Sequence, residues 1–143
     1  MATPLTLYIP IKQDIISQAA AHELYKDFMS IVTPILTETQ IVHYARLIMI
    51  PNASGHGTNA ITLITVFDGA MNPYLNTFWD SGFAFKALLN AIAAIAVTHP
   101  PLPIVTLNSF ENFINDNNLS QPSDLYQAYT DTVVQVLAFN QGS

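Results

Sequence analysis

Five side chains have types and positions suited to chemistry: His43, Tyr44, Arg46, Asp68 and Trp79. The first three lie in one strand-like stretch, Ile41–Ile50, and Asp68 follows a second, Ala60–Phe67. A histidine inside a strand can transfer protons or ligate iron; it can equally be a satisfied residue at a packed interface. Arg46 is the sole arginine and stays charged in any surroundings. It therefore reads either as an anchor for an acidic group on a ligand or as half of an ion pair with a carboxylate such as Asp68. Asp68, ahead of Gly69, can act as a general base at the mouth of a cavity or hydrogen-bond the turn into the next helix. Trp79, with Phe78, Phe83 and Phe85, reads as helix-to-sheet core first and cavity lining second.

The remaining candidates do not assemble. His22, His43, His56 and His99 include no pair at helical ligand spacing, and the absence of cysteine excludes thiolate sites and disulfides. The histidines alone therefore predict no metal site. Gly55-His56-Gly57 lacks the third glycine and the strand-to-helix setting of a nucleotide fingerprint, so it reads as a hairpin loop. The chain has no P-loop and no Gly-x-Ser-x-Gly elbow.

Composition narrows the function class further. The 143 residues suit one domain, residues 1–143. Half are apolar and only 10% are charged, against about 25% in a typical soluble domain. The shortage predicts a face buried against a second subunit or a ligand, and a homodimer is the simplest form of it. Ten acidic residues against four basic ones, for a net charge of −6, provide no basic stripe for phosphates or anionic lipid. Nucleic-acid and membrane partners are therefore not expected. The N-terminus lacks the basic head and apolar core of a signal peptide. The most apolar run, Ala87–Val97, falls far short of the ~20 residues needed to span a bilayer. A cytoplasmic protein is expected.

Periodicity predicts the elements that carry these residues. Leu5–Ile11 alternates as a strand, and Asp14 then caps a helix to about Glu38 with Ile16, Leu24, Phe28, Ile31 and Ile35 as its apolar stripe. Pro34 predicts a kink or a restart capped by Thr33. Neither Ile41–Ile50 nor Ala60–Phe67 has a plainly polar face, so both faces of their sheet are expected to be covered, one by helices and one by a partner. Asn72-Pro73 opens the next helix, Ser81-Gly82 is a candidate break in it, and His99–Pro103 ends it. Ser109 caps a short helix, Phe110–Asn117. Leu125–Tyr129 is the candidate fourth strand, with Asp131 capping a closing helix to about Phe139; alternatively Thr132–Ala138 is that strand. Strand, helix, strand, strand, helix is most of a split β-α-β plan, which predicts an α+β, ferredoxin-like domain with an antiparallel sheet and helices on one face.

The segments His43-Tyr44-Ala45-Arg46-Leu47 and Val66-Phe67-Asp68-Gly69, followed by Tyr74-Leu75, resemble the dimeric α+β barrel superfamily. Within it they resemble a group of mostly uncharacterised domains distantly similar to dye-decolorizing-type peroxidases. The likeness covers about Leu5 to Ala96, with an echo in Phe110–Ile114 and Leu125–Tyr129. It implies paired sheets in a barrel or sandwich that holds apolar ligands, haem or the substrates of small oxygenases. Two departures weigh against haem. Thr65 stands where the peroxidase motif Gly-x-x-Asp-Gly has its first glycine, and the chain has no room for the second domain that supplies the haem-ligating histidine. The expectation is a homodimer holding an apolar small molecule in a pocket, with Arg46, His43 and Tyr44 as polar contacts and Asp68 and Trp79 alongside. The alternatives are a haem-dependent peroxidase-like or cofactor-independent oxygenase enzyme, with Asp68 or His43 as proton acceptor, and a purely structural interaction subunit.

Overall fold

The computed structural model describes residues 2–142. Three strands, β1 (Ala2–Pro10), β2 (Val42–Pro51) and β3 (Thr58–Asp68), form an antiparallel sheet in the order β1-β3-β2. Both β1 and β2 run antiparallel to β3 and hence parallel to each other. Helix α1 (Ile15–Thr39) joins them, so β1-α1-β2 is a split β-α-β unit with β3 inserted in its middle. Helices α2 (Met71–Trp79), α3 (Phe83–Ile95) and α4 (Leu107–Asn117) follow, then α5 (Val133–Gly142).

Alternation in the strands sorts the core. Leu5, Leu7 and Ile9 of β1, Ile61 and Phe67 of β3, and the partly buried Leu47 and Met49 of β2 turn towards α1–α4. Phe67 lies flat on Tyr74 of α2, with ring centroids 3.9 Å apart and planes within 4°. Asp14 caps α1 as expected, its carboxylate accepting from Ser17 N–H at 2.9 Å. Of the predicted stripe of α1, Leu24, Phe28, Ile31 and Ile35 pack against the core, with Ser17, Ala21 and Val32 buried beside them, while Ile16 is 82% exposed. The cap fixes where the first turn starts, and Ile16 falls on its outer side. Pro34 lies inside one continuous helix, with no restart at Thr33; Gln40 ends it in the left-handed region at φ 54°.

The expected break at Ser81-Gly82 separates α2 from α3, and Gly82 adopts φ 125°, which favours glycine. Helix α2 starts one residue before Asn72, without a side-chain cap. Helix α4 begins at Leu107, because the Thr106 hydroxyl rather than Ser109 accepts the capping bond, from Ser109 N–H at 3.2 Å.

The fourth strand is absent from the described residues in both predicted places. Leu125–Tyr129 is irregular chain after a 3-10 turn at Pro122–Asp124, and Thr132–Ala138 falls mostly in α5. Thr132 rather than Asp131 caps α5: its hydroxyl accepts from Gln135 N–H at 3.2 Å, and Gln135 Oε1 accepts from Thr132 N–H at 2.7 Å. The outer edge of β1 carries only isolated bridges, Leu7 to Asn118 and Ile11 to Ala96. Leu119 N–H donates to Thr6 O and Val97 N–H to Pro10 O on that edge. Pro4 and Pro10 share this outward parity, where a missing N–H costs no ladder bond to β3. Helices α1–α4 cover one face of the sheet. The chain after Asn118 crosses to the other face as a strap that ends in α5.

Candidate functional site: a polar pair under a strap and an apolar cavity behind the sheet

The register of β2 on β3 slips between Val42, opposite Phe67, and Tyr44, opposite Val66. His43 is the extra residue of this bulge, and a bulge re-aims the side chain it carries. Its Nε2 lies 2.8 Å from Asp68 Oδ1, and both side chains are largely buried. The other carboxylate oxygen, Oδ2, accepts from Val133 N–H at 2.8 Å. Asp68 N–H donates to Ile41 O at 2.7 Å. Thr65 donates its hydroxyl proton to Tyr44 O at 2.7 Å, which satisfies a carbonyl freed by the bulge. Asp68 thus orients His43 and ties the strap to the sheet. An imidazole whose Nε2–H donates to a carboxylate presents Nδ1 as its free lone pair.

The strap leaves two hollows against the open sheet face. One, of ≈ 520 Å³, has His43, Tyr44, Val66, Tyr126, Tyr129 and Asp131 in its wall. The other, of ≈ 340 Å³, shares Tyr44, Val66 and Leu125 with the first and continues along Thr6, Ile64 and Leu119.

On the opposite face an apolar cavity of ≈ 80 Å³ lies between the sheet and α1–α4, walled by residues such as Leu7, Ala45, Leu63, Phe28, Leu89 and Phe110. Tyr74 brings the one polar side-chain group of its wall. Burial pushes the Tyr74 phenol well above the ordinary tyrosine range, and hydrogen bonding with the Thr65 hydroxyl acts weakly in the opposite direction. The phenol therefore stays neutral. No histidine lines this cavity, and its volume does not admit a porphyrin, so the residues present do not fit haem there.

The five residues singled out in the sequence divide between the two faces. His43 and Tyr44 meet in the open-face hollow, with Asp68 behind His43. Arg46 is on the exposed side of β2, in neither hollow, and makes no ion pair or hydrogen bond among the described residues. The expected Arg46–Asp68 pair is thus replaced by His43–Asp68. A guanidinium on an edge strand stays hydrated and needs no carboxylate to offset burial. Trp79 belongs to the helical side, where it stacks on Phe110 at 5.7 Å and carries Lys86 Nζ 4.4 Å above its ring. It stands outside the cavity wall but touches that wall through Phe110.

Tyr74, Tyr126, Tyr129 and Asp131 were not legible as site residues. Tyr74 has the phase of a core position, and the other three lie in a segment whose path depends on where the strap docks. The Gly55-His56-Gly57 loop is pinned by side-chain amides: Asn52 Nδ2 donates to His56 O, and Gln18 Oε1 accepts from Thr58 N–H, at 2.8 and 2.7 Å. Gly57, at φ 80°, leaves no room for a Cβ beside Asn52 and Gln18. Among the described residues no group of three or more histidine, aspartate or glutamate side chains is placed to hold a metal ion, and no helix is long and apolar enough to cross a membrane. Compared with protein-family models, curated proteins and solved structures, the chain matches none.

Proposed function

We propose that this protein is a homodimeric, ferredoxin-like small-molecule-binding protein that holds a neutral apolar ligand in the cavity between its sheet and its helices. The observation that carries this reading is the ≈ 80 Å³ apolar space with a single buried phenol at its wall. Native cores close such spaces, because an unfilled cavity forfeits dispersion contacts. Retaining one next to a neutral hydroxyl group is how a ligand site is built. The volume is about half that of the ~150 Å³ cavity that admits benzene in an aliphatic core, so the ligand is small or enters as the helices shift. A carboxylate would lose its hydration with only one hydroxyl to replace it, which excludes the fatty and aromatic acids that an Arg46 anchor would have implied. The resemblance to dimeric α+β barrel proteins points the same way.

Dimerisation rests on apolar surface that one chain leaves uncovered. Helix α5 has no charged residue, and Val134 and Phe139 on it are 53% and 79% exposed. Ile48 is only half-buried on the open face of β2, and the outer edge of β2 is unpaired among the described residues. A cysteine-free chain of this composition suits the cytoplasm.

The test uses Trp79 as reporter, since its stacking partner Phe110 lines the cavity. Titration with toluene and short alkanols should shift Trp79 emission saturably and raise the thermal midpoint, as binding to the native state requires. Ala45→Leu, which fills the cavity, should abolish both responses. Equal responses in the variant, or none in the wild type, would remove this reading.

The His43–Asp68 pair favours a second reading, a cofactor-independent enzyme with His43 as proton acceptor and Asp68 fixing its tautomer. It predicts protein-dependent deuterium exchange at the α-carbon of aryl ketones that is lost in His43→Gln. Exchange no faster than in buffer would exclude it for that class of carbon acid.

A further inference from the structure

We propose that the hollow between the open sheet face and the strap is a second, separate ligand site, which takes an organic ammonium ion with an apolar arm. Three observations carry it. Tyr44, Tyr126 and Tyr129 all line it and are 54%, 88% and 80% exposed, so their rings are free to close over a ligand. None of the three stacks on another ring or spends its hydroxyl on a hydrogen bond among the described residues. Electron-rich phenol faces left free around one space attract cations, above all weakly hydrated alkylammonium groups.

The charge in the wall has the matching sign. Asp131 lies in it without an ion pair or hydrogen bond among the described residues, and no lysine or arginine does. Behind it His43 Nε2 lies 2.8 Å from a carboxylate oxygen of Asp68, so the imidazole faces an acidic partner of its own. The whole chain bears −6, which favours approach of a cation. Arg46, on the same side of β2, is not part of the wall.

The shape sets the rest of the ligand. At ≈ 520 Å³ the hollow has the size of a small-molecule site. The neighbouring ≈ 340 Å³ hollow shares the Tyr44, Val66 and Leu125 walls and extends along Ile64 and Leu119. An ammonium head between Tyr126, Tyr129 and Asp131 would therefore direct an alkyl or aryl substituent along this apolar channel. A carboxylate placed between Tyr126, Tyr129 and Asp131 would face Asp131 with no cation in that wall.

The experiment titrates the full chain with choline and with 3,3-dimethylbutan-1-ol, its neutral carbon isostere, and follows the backbone amides of 125–131 by NMR at low salt. Choline should bind at least about tenfold more tightly than the alcohol, and benzoate should not compete. Asp131→Asn should weaken choline several-fold and flatten the salt dependence. Tyr126→Leu and Tyr129→Leu should each weaken it about two- to fivefold, while the phenylalanine variants, which keep the ring, should not. These are exposed positions, so the variants fold. Ala45→Leu, in the cavity on the other face, should leave choline binding unchanged, which separates this site from the apolar one. Equal binding of choline and the alcohol would overturn the proposal. Tighter binding of benzoate at the same amides would overturn it too. So would the absence of choline binding, including in a dimer whose second copy fills the hollow.

Discussion

Both carboxylate oxygens of Asp68 are engaged, one with His43 and one with Val133 N–H, at 2.8 Å each. Removing the group by Asp68→Ala strands a part-buried N–H and frees the imidazole, which should cost about 1–3 kcal/mol in denaturant unfolding. Because the bond to Val133 is the strap's tie to the sheet, amide exchange at Val133–Phe139 should accelerate while exchange at Ile61–Phe67 follows only the global loss. Uniform acceleration would mean that the pair supports the whole fold rather than the strap. Arg46→Met should shift stability by less than about 0.5 kcal/mol, as expected at a surface position without a partner. A larger loss would reveal an ion pair, in the dimer if nowhere else.

At the level of elements, what depends on local chemistry was legible and what depends on docking was not. The apolar runs before and after the Gly55–Gly57 loop gave β2 and β3 within about two residues, since period-two patterning and turn glycines act locally. Asp14 as a cap and Ser81-Gly82 as a break are local too. The bulge at His43 left no trace in the pattern, although it is what turns His43 towards Asp68. The fourth strand failed for a different reason: Leu125–Tyr129 has strand-like residues, yet strand formation needs an open edge within reach, and the strap crosses a face instead. Of the candidate site, the expected grouping was Arg46 with His43 and Tyr44; the bulge brings His43 to Asp68 instead, and Tyr126, Tyr129 and Asp131 became visible only with the path of the strap. The cap of α1 makes its own prediction. Ser17 N–H, with the Ser17 hydroxyl second, holds the Asp14 carboxyl below its ordinary value of 3.8. A depressed carboxylate contributes stability that is full above the unfolded value and is lost as pH falls through the lower, folded one. The wild-type advantage over Asp14→Ala in thermal midpoint should therefore persist at pH 5–7 and vanish in the acid range below pH 3.8. A constant offset down to the lowest pH would assign the cap effect to something other than the ionised carboxylate.

For the whole molecule the two faces of the sheet make opposite demands, and a lysine placed on each distinguishes them. Leu63 faces the cavity among the core side chains, and Ile48 sits half-buried on the open face of β2. Leu63→Lys would bury an unpaired charge in an apolar enclosure, at a cost of several kcal/mol that should unfold the chain or shift the lysine to its neutral form. Ile48→Lys can keep its ammonium in water in a single chain, so a folded monomer should tolerate it. If a second copy covers this face, however, the same ammonium is trapped in the interface and the dimer should dissociate. Light scattering at micromolar concentration should accordingly give the wild type twice the 15.7 kDa of one chain. Ile48→Lys should scatter as a single chain with wild-type far-ultraviolet circular dichroism, and Leu63→Lys should lose that spectrum. A wild type that already scatters as one chain would remove the homodimer, and with it the account of the low charge content. A dimeric Ile48→Lys would move the interface away from the open face of β2, leaving α5, whose exposed Phe139 is the next position to test with the same substitution.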